Sequence, residues 1–187
     1  MAIVTTKSLG ITSLDALPAV ALPAGESGPG RWICINDSVA AVSGDSIGSI
    51  YRMIRVPTDC KIKRVRLSSL VTGAGAGDIS IAYSDSTSDG TNANLQAASS
   101  GIVQISAADN KLFGAAVSLA TAIKNQDQTF ANTFTIQHQN TPLWAVLVAL
   151  GTTQFTTNPG GMFDFIIKLT TGISVASGTI GLEVDYV

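Results

Sequence analysis

Two segments near the C-terminus carry the clearest pattern of apolar positions. Phe163, Phe165, Ile167 and Leu169 recur at every second residue, and so do Ile180, Leu182, Val184 and Tyr186. A period of two puts each set on one face of a strand. Short runs rich in β-branched and aromatic residues also lie at 31–35, 47–56, 61–67, 79–83, 133–137 and 143–150, with Gly, Pro, Asn and Asp between them. This predicts about eight strands without regular intervening helices, hence an all-β chain built as a two-sheet β-sandwich of jelly-roll-like form. The best helical stripe, Val117, Ala120, Thr121 and Ile123 within 115–125, is weak, so one short helix or none is expected.

Residues 1–30 break the pattern. Pro18, Pro23 and Pro29, with Gly25, Gly28 and Gly30, prevent a long helix or central strand. The expected organisation is an extended N-terminal arm, 1–30, followed by a β-sandwich domain, 31–187. The arm carries Ile11, Leu14, Leu17, Val20 and Leu22, too many apolar side chains for a solvated tail, so it is expected to lie in a groove of its own subunit or a neighbour.

Composition adds a bias toward assembly. Charged residues make up 13% of the 187, against roughly 25% in an average soluble protein. Little charge repulsion opposes association, and a homodimer, alternatively a trimer, is expected. The longest apolar run, 143–150, is far short of the ~20 residues of a membrane-spanning helix. The N-terminus has no compact apolar core of a secretion signal, so synthesis and retention in a cytoplasm are expected. Cys34 and Cys60 lack metal-ligand spacing and read as two buried free thiols.

Catalytic motifs are weak. Residues 44–48, Gly-Asp-Ser-Ile-Gly, match the nucleophile-elbow pattern around Ser46, and Asp109, Asp127 and His138 follow. The next residues are β-rich and end at Pro57, which favours a Gly-flanked hairpin turn over a hydrolase elbow. His138 is the chain's one histidine and reads as a polar strand-end residue. The Gly-rich 72–77 has neither a following helix nor a Lys-Ser/Thr, so it reads as a loop. Asp85 to Asp89 begins like a calcium loop, but Gln96 stands where the bidentate carboxylate belongs. No enzyme activity, cofactor or metal is expected.

The charge distribution is uneven. Arg52, Arg55, Lys61, Lys63, Arg64 and Arg66 face only Asp59 within 52–66, so this segment is +5 and the remainder −7. Read as two strands joined at Pro57-Thr58-Asp59, it forms a basic hairpin or pair of edges. A solvated strand face guarded by cations competes with a docking surface for an acidic protein. Nucleic acid is disfavoured, because Tyr51 is the sole interleaved aromatic.

The run from Ser49 to Pro57, the basic Lys61 to Leu67, and the ending from Asn158 to Phe165 and Gly178 to Val187 resemble small head-associated proteins of tailed bacteriophages. The resemblance covers roughly 45–70 and 140–187, and the stretch 92–132 lies outside it. It implies a capsid cement or decoration protein: a virion component, assembled in the host cytoplasm, that sits over joints between major capsid proteins and uses no cofactor or active site. The matching basic residues would then lie at a shell contact. A carbohydrate- or receptor-binding β-sandwich of a virion appendage is the competing reading, for which Trp32 and Trp144 are the available tryptophans and Trp144 reads as buried. A hydrolase centred on Ser46 is the third.

Overall fold

The computed structural model describes residues 5–8, 11–12, 32–70, 75–84, 111–151, 156–174 and 178–187. Within them the strands are β1 (Thr5–Lys7), β2 (Ile33–Ala41), β3 (Ile50–Pro57), β4 (Ile62–Ser69), β5 (Ala76–Ser84), β6 (Gly114–Ser118), β7 (Ile123–Asp127), β8 (Met162–Thr171) and β9 (Gly178–Tyr186). They form a five-stranded sheet, β1-β3-β8-β5-β6, and a four-stranded sheet, β2-β9-β4-β7. From β2 onward every connection except β5 to β6 passes from one sheet to the other. That strand order is a jelly roll, the expected architecture.

Alternation along the strands builds the core between the sheets. Ile33, Ile35 and Val39 of β2, Val65 and Leu67 of β4, and Ile180, Leu182 and Val184 of β9 pack against Tyr51 and Val56 of β3, Ile79 and Ile81 of β5, and Phe163, Phe165, Ile167 and Leu169 of β8. Phe113 lies between Phe165 and Phe134, with ring centroids 5.2 and 4.9 Å away. β1 pairs in parallel with the edge of β3, matching Thr5 to Ile50 and Lys7 to Arg52. Ser8 N–H continues that edge onto Arg52 O, and Ile11 is fully buried. The start of the arm therefore lies on its own subunit. Leu14, Leu17, Val20 and Leu22 fall outside the described residues.

Several expectations are corrected. Residues 115–125 form parts of β6 and β7 rather than a helix: Gly77 pairs with Val117 in one sheet, Ser69 with Ile123 in the other. Positive φ at Ala116 and Asn125, 47° and 52°, is incompatible with a right-handed helix there. Residues 143–150 are mostly helical, as Leu143–Ala149, not a strand. Leu143, Val146 and Leu147 share one buried face, and the first N–H groups find acceptors outside the helix, Leu143 on Cys60 O and Trp144 on Thr58 O. The expected strand at 133–137 is replaced by a 3-10 turn, Ile136–Asn140. Residues 44–48 lie in a loop from β2 to β3 that changes sheets, so they are no hairpin turn; Gly44 and Gly48 supply its φ of 101° and 89°. β3 and β4 likewise lie in different sheets, so 52–66 is a corner and not a basic hairpin. Within the Gly-rich 72–77, Ala76 and Gly77 already belong to β5.

Candidate binding surfaces

The corner between β3 and β4 divides the six cations of the basic segment. Arg52 is fully buried on β3, and its Nε donates to Asp164 Oδ2 on β8 at 2.8 Å. Its Nη2 reaches the same oxygen. Arg55 donates from Nε to Asp164 Oδ1 at 2.8 Å, with a side chain only 8% exposed. Two guanidiniums thus enclose one buried carboxylate. Both side chains are turned onto Asp164 and away from solvent, rather than outward as a basic strand face would hold them.

On β4 the cations face outward. Arg66 Nη1 lies 3.0 Å from Glu183 Oε1. Arg64 Nη2 lies 2.6 Å from Asp185 Oδ2, but the pair lacks hydrogen-bond alignment, and both Asp185 oxygens and Arg64 Nε are buried without a hydrogen bond. Charge, rather than direction, holds that contact. Lys63 Nζ donates to Gln139 O at 2.8 Å and Asn140 Oδ1 at 3.1 Å, while Gln139 Nε2 donates back to Lys63 O. Lys63 therefore pins the 3-10 turn to the sheet. Lys61 exchanges backbone hydrogen bonds with Val187. The partners of the arginines come from β8 and β9, more than a hundred residues away.

Cys34 stands opposite Asp185 on β9 and, contrary to expectation, is exposed; Cys60 is buried. Outward alternation of β2 places Cys34 there. Desolvation of the sulfur, then the adjoining Asp185 carboxylate and the charge of Glu183, push the thiol up to about 11, with Arg64 opposing. One ligand atom from each of Cys34, Glu183 and Asp185 lies within 4.8 Å of the others. Arg64 already supplies positive charge there, and the thiol is held in the protonated form that binds metals poorly.

The outer face of the four-stranded sheet continues into a shallow depression of about 310 Å³, lined by Asn36, Asp37, Ser38, Ser68, Asn125, Gly181, Leu182 and Glu183. Small side chains create it: Gly181 stands at the centre of β9 between Ser38 and Ser68. Trp32 immediately precedes β2, in phase with exposed Cys34, Asn36 and Ser38, and is 63% exposed.

A third surface is the end of the sandwich where β2, β4 and β8 finish. Val42, Ile47 and Leu70 are 54, 64 and 62% exposed there. The β2–β3 loop that carries Val42 and Ile47 is braced: Gly44 N donates to Ile173 O, Ile173 N to Asp45 O and Gly48 N to Leu169 O, while Leu70 N donates to Thr179 O. Asp45 Oδ2 also accepts from Tyr51 O–H at 2.5 Å and Val42 N at 3.2 Å. Burial, then Asp45, push the Tyr51 phenol above its ordinary range.

The residues of the hydrolase reading have local roles. Ser46 O accepts from Ser49 N within the loop. His138 Nδ1 accepts from Thr135 N at 3.0 Å, and its ring lies 5.4 Å from that of Phe134. Desolvation of Asp127 is outweighed by the Thr129 hydrogen bonds and the charges of Arg66 and Arg64, which hold its carboxyl below the usual range. Asp109 and the calcium-like Asp85 to Asp89 lie outside the described residues. The apolar loop end and the polar depression are not apparent from short motifs, since each is assembled from distant connections.

No family model matches the chain, and no curated protein matches it. Among solved structures, it is similar to a chain of the cyanophage Pam1 capsid asymmetric unit, with 12% identity and a TM-score of 0.44 over 90% of this chain and 94% of that one.

Proposed function

We propose that this protein is a structural component of a phage virion that docks on the outside of the capsid lattice and cements adjacent major capsid proteins. The observation that carries this reading is the braced loop end with Val42, Ile47 and Leu70 turned to solvent. Large apolar side chains on preformed loops gain free energy by burial against a partner and lose little conformational entropy in doing so. The low charge density and the resemblance of 45–70 and 140–187 to head-associated proteins support it. Self-association as a homodimer or trimer belongs to the same reading. The partly exposed Arg64 and Arg66 steer the approach, while Arg52 and Arg55 serve the fold.

The test is cosedimentation with capsid shells of the phage whose genome carries the gene. A variant with Val42, Ile47 and Leu70 all replaced by Ser is expected to lose most of its shell occupancy while retaining the β circular dichroism spectrum. Wild-type protein that fails to sediment with shells overturns the function. Binding by wild type that the triple variant keeps in full overturns the loop end as the docking surface.

A further inference from the structure

We propose that the outer face of the four-stranded sheet is a saccharide-binding surface, with Trp32 as its stacking platform and the depression over Gly181 as its hydrogen-bonding subsite. This goes beyond capsid docking, and it uses a different face of the molecule from the loop end.

The chemistry of the lining selects the ligand. The depression is walled by two carboxamides (Asn36, Asn125), two hydroxyls (Ser38, Ser68) and the Glu183 carboxylate, with Asp37 contributing its backbone carbonyl. Amides and hydroxyls both donate and accept, whereas carboxylates only accept. A molecule that presents adjacent hydroxyls, each donor and acceptor, satisfies such a mixed set; a phosphate or carboxylate ligand would meet the Glu183 carboxylate and the Asp37 carbonyl. Among the described residues, the side chains of Asn36 and Asn125 have no hydrogen bond, so their capacity is open to a ligand. Ser68 Oγ is partly engaged, accepting from Asn125 N at 3.0 Å.

Shape agrees. A volume of about 310 Å³ is at the small end of ligand sites, which run about 300–1,000 Å³. Gly181 keeps the floor open: a Cβ there would have 3.7 Å to its nearest neighbour, Asp37 O, so the space is not needed for packing. Trp32 lies four residues from Asn36 along an extended chain, about 13 Å at strand rise. A short oligosaccharide can therefore lay an apolar ring face on the indole and direct the hydroxyls of another unit into the depression. An exposed indole beside polar groups suits an amphipathic ligand of this kind. A subunit interface is the poorer occupant, because interface cores are depleted in Asp, Glu and Ser and enriched in apolar and aromatic groups.

The experiment is calorimetric titration of the full chain with maltotriose, cellotriose and chitotriose separately, with sedimentation run in parallel. Saturable millimolar binding of at least one trisaccharide is expected. Asn36→Ala and Gly181→Arg, the second filling the floor, should each weaken that binding at least tenfold, and Trp32→Ala should do the same. Asn36→Ala alters one exposed side chain, so it remains informative if Gly181→Arg misfolds. No saturation with any of the three sugars overturns the proposal. Binding that Asn36→Ala and Trp32→Ala leave unchanged overturns the location, and loss of an oligomer by Asn36→Ala without sugar binding assigns the face to self-association instead. None of these readouts depends on capsid attachment.

Discussion

Arg52 and Asp164 meet on adjacent strands of the five-stranded sheet with neither side chain reaching solvent, and Arg55 closes on the other oxygen of the same carboxylate. Removing a charge from a buried pair costs far more than the pair contributes, since the remaining charge is stranded. Asp164→Asn leaves two guanidiniums facing a neutral amide. Urea unfolding should show a loss of about 3–5 kcal/mol for this variant. Arg52→Met should cost less, because Arg55 still neutralises Asp164. Equal losses for the two would mean that Arg55 contributes nothing to the cluster.

This cluster also marks where the sequence stops being legible. The alternation of Phe163 to Leu169 and of Ile180 to Tyr186 announces β8 and β9, because a period of two depends only on neighbours along the chain. Whether a cation is solvated or paired depends on register. The +5 charge of 52–66 looked exposed only because its counter-charges, Asp164, Glu183 and Asp185, come from strands more than a hundred residues on. The helix Leu143–Ala149 was hidden for another reason. An unbroken apolar run contains both periods, and the contacts of its N-terminus with Thr58 and Cys60 decide between them. β7 has an almost wholly exposed burial pattern and so no apolar period to read. The saccharide surface left one local trace, the phase shared by Trp32, Asn36 and Ser38; the rest comes from β4, β7 and β9.

Alkaline pH should destabilise the fold. The Cys34 thiol is raised from its ordinary value of 9.0 to about 11, and the Cys60 thiol and Tyr51 phenol are raised as well, mainly by burial. Each group prefers its protonated, neutral form when folded. Their contribution to stability is complete below the unfolded pKa and is lost as pH rises through the folded one. Urea midpoints should therefore fall between about pH 9 and about pH 11. Cys60→Ala should reduce that fall more than Cys34→Ser, since Cys60 is buried and Cys34 exposed. A midpoint constant across this window contradicts the assignment.

Tyr51 joins the core to the loop end through one hydrogen bond. Tyr51→Phe keeps the ring but deprives the buried Asp45 carboxylate of its phenolic donor, leaving Val42 N–H at 3.2 Å. The expected cost is about 1–3 kcal/mol, the penalty for a buried acceptor that loses its partner. Asp45→Asn, which can still accept from both donors, should cost less when the two variants are compared by urea unfolding. The reverse order would show that negative charge at Asp45, and not its hydrogen bonding, holds the loop.

The bracing of the loop end can be weakened without touching an exposed apolar residue. A Cβ at Gly172 would lie 2.9 Å from Asp45 O and 3.5 Å from Ser46 Cα, both backbone atoms that cannot rotate away. Gly172→Ala must therefore push 42–49 outward and strain the bond from Ile173 N to Asp45 O, 2.9 Å long in the native protein. The inner faces of both sheets are untouched, so global stability should fall by only about 1–3 kcal/mol, as for modest overpacking. Hydrogen exchange should show faster exchange at Gly44, Gly48 and Ile173 while the paired amides of β8 and β9 keep their protection. If a preformed loop end is what docks on the capsid, the variant should also bind shells more weakly than wild type, although Val42, Ile47 and Leu70 are all present. Faster exchange with undiminished shell binding would mean that the apolar side chains act without the brace, and that their order on docking costs the complex little.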